Sequence, residues 1–97
     1  MPQKDIEKIR YDRWKLRLKH FFNITPEQYN EIFKKQNGKC AICERHRSEF
    51  KNNLCVDCNS ETKIVRGLLC SKCLRGLSLF SDKIELLDNA RTYLIKT

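Results

Sequence analysis

The chain has 97 residues, room for one hydrophobic core and no second. No stretch approaches the roughly 18 apolar residues of a membrane span. The opening MPQKDIEKIR has no apolar run, so no signal peptide is expected. A soluble, cytoplasmic protein with reduced cysteines is therefore expected, and a core this small needs a staple.

Residues 5–21 read as a helix, with Ile6, Ile9, Trp14, Leu16 and Leu18 in a loose 3.6-residue pattern among charges. The stripe is imperfect, which predicts a helix lying across the domain rather than inside its core. The net charge is +8, and Lys4, Lys8, Arg10, Arg13, Lys15, Arg17 and Lys19 against Asp5, Glu7 and Asp12 place +4 of it before Asn23. Such a field suits phosphate backbones or an acidic protein surface; a solvated helix face is the plainer alternative. Residues 1–24 are thus expected as a basic N-terminal helix, and residues 25–97 as the domain proper.

Thr25-Pro26-Glu27-Gln28 is a helix start, with Thr25 as cap, Pro26 in the first turn and Gln28 completing a capping box. Tyr29, Ile32 and Phe33 supply its buried face, and Asn37-Gly38 ends it. Residues 44–53 form a polar loop with little to bury. Leu54–Asp57 and Lys63–Arg66 read as two short strands joined by the turn Asn59-Ser60-Glu61. Gly67 is expected to switch the chain into a helix bearing Cys70 and Cys73. Ser81-Asp82 then caps a last helix with the stripe Ile84, Leu87, Ala90 and Leu94.

Six cysteines fall as three pairs with two residues between, Cys40/Cys43, Cys55/Cys58 and Cys70/Cys73. A disulfide across so short a step closes a strained loop, whereas two thiolates on one turn chelate a metal. Zinc takes four such ligands in a tetrahedron. Cys40 and Cys43 flank a turn, and Cys70 and Cys73 share one face of a helix start. Cys55 and Cys58 lie in a strand, where a spacing of three sends them to opposite faces. The outer two pairs, Cys40, Cys43, Cys70 and Cys73, are therefore the expected ligands of one structural zinc.

A helix leads into Asn37-Gly38-Lys39-Cys40-Ala41-Ile42-Cys43, followed by Leu54-Cys55-Val56-Asp57 and Val65-Arg66-Gly67-Leu68-Leu69-Cys70-Ser71-Lys72-Cys73. Arg75-Gly76-Leu77 and Leu79-Phe80 precede a helix ending Tyr93-Leu94. Over about residues 25–95 this resembles the phage recombination endonuclease VII family, zinc-stapled members of the ββα-metal (His-Me finger, HNH-like) nucleases. The resemblance implies a small α+β fold, a zinc-stapled ββα core with flanking helices. It also implies a DNA substrate and, for a phage-encoded chain, the cytoplasm of a bacterial host.

Family members carry Asp-His on the first strand, usually followed by Asp-His again, and an Asn directly after the last zinc cysteine. Carboxylate and amide hold a divalent ion, and the histidine takes a proton from the attacking water. Carried over, the first carboxylate is Asp57, but the base position holds Cys58, followed by Asn59 and Ser60. The amide position holds Leu74. A thiol is a poor replacement for imidazole at neutral pH, and leucine offers a metal nothing. Asp57 alone would bind magnesium weakly, so that ion enters only if the site is active. His20 and His46 have no local partner marking them as a substitute base. Cys58 reads as a small residue filling the vacated site or, with Cys55, as an accessory metal position.

The resemblance therefore implies a degenerate member, an enzyme fold expected to lack the reaction. Its nucleic-acid contacts would be Lys63, Arg66, Lys72 and Arg75 near the hairpin, with Arg13 and Arg17 on the first helix. Arg66 could equally close a salt bridge within the hairpin. Two alternatives stand beside a DNA-binding relic: a small phage-encoded inhibitor or adaptor that docks on an acidic protein, and an active endonuclease with an unusual site. Oligomeric state stays open, with a homodimer through residues 82–95 or the first helix as one option.

Overall fold

The computed structural model describes residues 3–96; Met1, Pro2 and Thr97, the outer ends of the two expected segments, lie outside the described residues. The elements are α1 (Gln3–Arg17), a π-helical turn (Leu18–Phe22), α2 (Pro26–Lys35), a 3-10 turn (Arg47–Glu49), β1 (Cys55–Cys58), β2 (Val65–Leu69), α3 (Ser71–Leu79) and α4 (Ile84–Ile95). The fold is the small α+β arrangement expected, four helices about a two-stranded antiparallel sheet. Among the described residues no helix is long and apolar enough to cross a membrane.

α2 starts as its sequence dictates. Thr25 caps it, with Gln28 N–H donating to Thr25 Oγ1 at 3.2 Å and Thr25 N–H donating to Gln28 Oε1 at 2.8 Å. Asn37 (φ 56°) and Gly38 (φ 69°) then turn left-handed and end it. A Cβ at Gly38 would stand 2.8 Å from His46 Nε2 and 3.0 Å from the Phe33 ring, so space as well as φ requires glycine there.

The first helix differs from the expectation. It runs as α1 to Arg17 and finishes in the π-helical turn, with Asn23 at φ 56° closing it. Rather than lying across the domain, its end belongs to the core. Leu18 is buried, and Trp14 and Phe22 pack beside it. The ring of Trp14 meets that of Tyr29 edge-on, with centroids 5.2 Å apart. The other residues of the hydrophobic core are Tyr29, Cys40, Leu54, Val56, Leu68, Leu69 and Cys70, with Asp57 the one buried charged group among the described residues.

β2 also corrects the sequence reading. Gly67 does not switch the chain into a helix; it pairs with Asp57, Leu68 with Val56 and Leu69 with Cys55. The helix begins only at Ser71, with Cys70 as its cap. Glycine is needed at 67 for another reason: a Cβ would stand 2.9 Å from Gln36 Oε1. That amide accepts from Leu68 N–H at 2.9 Å and donates to the carbonyls of Leu68 (3.0 Å) and Lys39 (2.8 Å). One side chain thus satisfies the backbone where α2, the cysteine turn and β2 meet.

The last helix departs in two ways. Ser81 and Asp82 do not cap it: both adopt φ 55°, and Lys83 occupies the cap position with no side-chain hydrogen bond. Of the expected stripe only Leu87 and Ala90 are half-buried, whereas Ile84 is 75% exposed.

Candidate functional site

The cysteine turn is closed by a bridge between Lys39 and His46. Inside it Cys40 N–H donates to Arg45 O and Glu44 N–H to Cys40 O, each at 3.0 Å, and Ala41 N–H reaches Leu68 O at 3.2 Å. Cys70, arriving from β2, caps α3 and accepts from Cys73 N–H at 3.5 Å. These local turns bring Cys40, Cys43, Cys70 and Cys73 together, with ligand atoms all within 4.8 Å of one another. Cys55 and Cys58 stay outside this cluster, as their strand spacing required.

The donor set fits a tetrahedral metal ion. Metal–sulfur bonds of about 2.3 Å imply sulfur–sulfur edges of about 3.8 Å, and Cys43 Sγ lies 3.9 Å from Cys70 Sγ. That separation is far too long for a disulfide, and all six cysteines are free. Burial opposes ionisation of Cys40, but backbone hydrogen bonds from Cys70, Cys43 and Ile42 outweigh it and bring its thiol down to about 6. Burial drives Cys73 up to about 12, reinforced by hydrogen bonds to its neighbouring sulfurs. Four thiolates this close repel one another, and a shared divalent cation removes the conflict.

Asp57 sits near the other end of the hairpin, where a bulge interrupts the pairing. Asp57 faces Gly67 but Cys58 faces Val65, so Arg66 is the inserted residue. The bulge aims Arg66 back at its neighbour strand. Its Nε donates to Asp57 Oδ2 at 2.8 Å and its Nη2 to Asp57 Oδ1 at 2.9 Å. Nη2 also reaches Cys58 O at 3.3 Å and Asp82 Oδ2 at 3.4 Å. Both carboxylate oxygens of Asp57 are thereby engaged, and the hydrogen bonds to Asp57 hold the Arg66 pKa above its ordinary value.

Leu74, at the expected amide position, lines a cavity with Cys55, whereas Asp57 and Arg66 line a smaller one with Leu77. Cys58 is half-buried at the end of β1. His46 caps the 3-10 turn, its Nδ1 accepting from Ser48 N–H at 3.0 Å, and His20 rests edge-on against Phe21. Of the basic residues, Lys63 (φ 64°) ends the hairpin turn, Lys72 and Arg75 are exposed on α3, and Arg13 and Arg17 are exposed on α1. Asp82 escaped the sequence reading because its partner lies 16 residues away and its place before a helix resembles a cap. Gln36 escaped likewise, with no local signal for a bond spanning 32 residues.

A two-stranded hairpin leads into a helix, and four thiols gathered between that helix and the preceding turn could hold a metal ion. Residues 15–96 match the family model of recombination endonuclease VII, and the chain belongs to that family. It is 42% identical over 84 residues to the Gene 59 protein of Mycobacterium phage D29, and 39% identical over 83 residues to the Gene 59 protein of Mycobacterium phage L5. The matches take in 86% and 84% of this chain, but it spans only about half (50%) of the length of either relative.

Proposed function

We propose that this chain is a zinc-stabilised endonuclease VII-like domain with a degenerate catalytic site, a pseudoenzyme that binds DNA without cutting it. The four-sulfur cluster suits zinc, which would hold the turn after α2 against the start of α3 and take no part in chemistry. The observation that carries the reading is the closure of Asp57. In a His-Me finger (HNH-like) site this carboxylate would face a divalent ion, but here both of its oxygens are bound by Arg66. Cys58 puts a thiol where the family has an imidazole base, and Leu74 offers no metal-binding oxygen.

Arg66 therefore serves the hairpin, and phosphate contact falls to Lys63, Lys72, Arg75, Arg13 and Arg17. These are exposed, and no ion pair engages them among the described residues. Such contacts give affinity with little sequence preference and a steep salt dependence. A phage protein of this kind would work in the cytoplasm of its bacterial host.

The adaptor reading has one observation in its favour. α4 has no buried residue, and Ile84, Tyr93 and Ile95 on it are 75%, 71% and 67% exposed. Such a surface suits a protein partner or a second copy.

The experiment incubates the zinc-loaded protein with branched and linear DNA plus magnesium or manganese, scoring binding and cleavage together. Salt-sensitive binding without cleavage is expected. Cleavage that disappears in Asp57→Ala would make the chain a working endonuclease. Absence of any DNA binding, with tight capture by a protein partner, would make it an adaptor.

A further inference from the structure

A cavity of about 620 Å3 lies between the end of α1 and strand β1. That volume falls in the range of small-ligand pockets, roughly 300–1,000 Å3. Its floor is apolar, with Leu54 buried and Trp14 half-buried. On its rim stand Phe21, 66% exposed, and the side chains of Arg17 and Asn52.

The lining includes no acidic residue, and the side chain of its one cation, Arg17, forms no ion pair or hydrogen bond with a described residue. Neither the Asn52 amide nor the Trp14 indole N–H has a hydrogen-bond partner among the described residues, and neither is a buried unsatisfied group. Cation and amide are thus available to an incoming molecule, and the Phe21 ring, which His20 meets edge-on, keeps most of its surface exposed. Arg10 and Arg13 precede Arg17 at helical spacing and are exposed, so a row of guanidinium groups leads along α1 to the cavity mouth.

The complement of this arrangement is a flat, polar-edged ring attached to a negatively charged strand. We infer that the cavity takes one unpaired base of a nucleic-acid strand, stacked on Phe21 against the edge of Trp14, with Arg17 on the adjoining phosphate. Asn52 supplies an amide that hydrogen-bonds any base edge, since it offers both donor and acceptor. Paired bases cannot enter, because both of their faces are covered in the duplex and extrusion costs a few kcal/mol. The basic row then supplies general affinity, and the cavity supplies preference for gaps, bulges and branch points.

This inference rests on the nucleic-acid reading above, and the test separates the two. The zinc-loaded protein is titrated, at one salt concentration, into a fully paired DNA duplex and into the same duplex carrying one bulged 2-aminopurine. Base–aromatic stacking of this kind is worth about tenfold in affinity. The bulged duplex should therefore bind about tenfold tighter, with quenching of the 2-aminopurine emission. Phe21→Ala removes an exposed ring, so it leaves the core and the affinity for paired duplex in place, and it should cut the preference to about twofold. Arg17→Gln should weaken the bulged complex more than the paired one.

Equal affinity for the two duplexes overturns the cavity inference while the DNA-binding reading stands. A preference that survives both substitutions also overturns it. Failure to bind either duplex overturns both.

Discussion

At the open end of the hairpin, Cys70 leaves β2 directly into a set of four sulfurs, each placed by a tight turn or a helix start. Near the turn end, a single carboxylate sits on the same two strands and is closed off by an arginine that a bulge has swung toward it. The first region keeps every member its chemistry needs, and all lie within three residues of a partner in the same pair. The second holds one carboxylate, Asp57, whose surroundings are assembled from three separate segments. In the first region each local turn fixes two ligands at once, so only the two pairs have to be brought together.

Removing the proposed metal ion should have the largest effect. Structural zinc contributes roughly 10–16 kcal/mol of apparent binding in small domains, as much as or more than the whole stability of a typical domain. Chelation, or Cys40→Ser, is expected to abolish the cooperative thermal transition followed by circular dichroism. Cys55→Ser or Cys58→Ser should leave one metal ion per chain by elemental analysis. A second ion lost from either variant would break the contrast between the two ends.

The next effect in size belongs to Arg66. Its removal leaves the Asp57 side chain, 10% exposed, charged and unpaired. Buried charges stripped of a partner cost 3–5 kcal/mol, and the Arg66 side chain is 38% exposed, which lowers the figure to about 2 kcal/mol. The reverse change, Asp57→Asn, leaves a guanidinium that keeps water and Asp82, so about 1 kcal/mol is expected. Urea denaturation of both variants measures this asymmetry, and equal costs would show that the pair is not buried in energetic terms.

The smallest effect sharpens the picture of the open end. Tyr29 donates to Leu54 O at 2.6 Å just before β1, and burial, reinforced by Cys55, raises its pKa from 10.0 to about 12. The folded protein then holds this proton over a pH range in which the unfolded chain releases it. The corresponding stability is complete below about pH 10 and is lost as pH rises through about 12. Tyr29→Phe should cost about 1 kcal/mol at neutral pH and remove this part of the alkaline decline. Absorbance titration of tyrosinate against stability checks both.

What the sequence by itself determined is local. The Thr25–Gln28 capping box, the Asn37-Gly38 stop, the Asn59 turn, the first strand and the choice of outer cysteine pairs were all legible. In each, the signal and the structure lie within a few residues of one another. The Asn59 turn shows the scale, its Oδ1 accepting from Glu61 and Thr62 N–H at 2.8 and 3.1 Å.

Tertiary structure decided the rest. Gly67 reads in isolation as the switch into a helix, but it pairs with Asp57 as a strand residue and leaves room for Gln36 over it. Asp82 reads as a cap, but Arg66 claims it across 16 residues. Arg66 itself could serve phosphate or carboxylate on sequence alone. A one-residue bulge, invisible to hydrophobic periodicity because it inserts a single unpaired position, turned it toward Asp57. Likewise the loose stripe of the first helix concealed Leu18 and Trp14 as core residues, because the surface they bury belongs to Tyr29 and other residues distant in sequence.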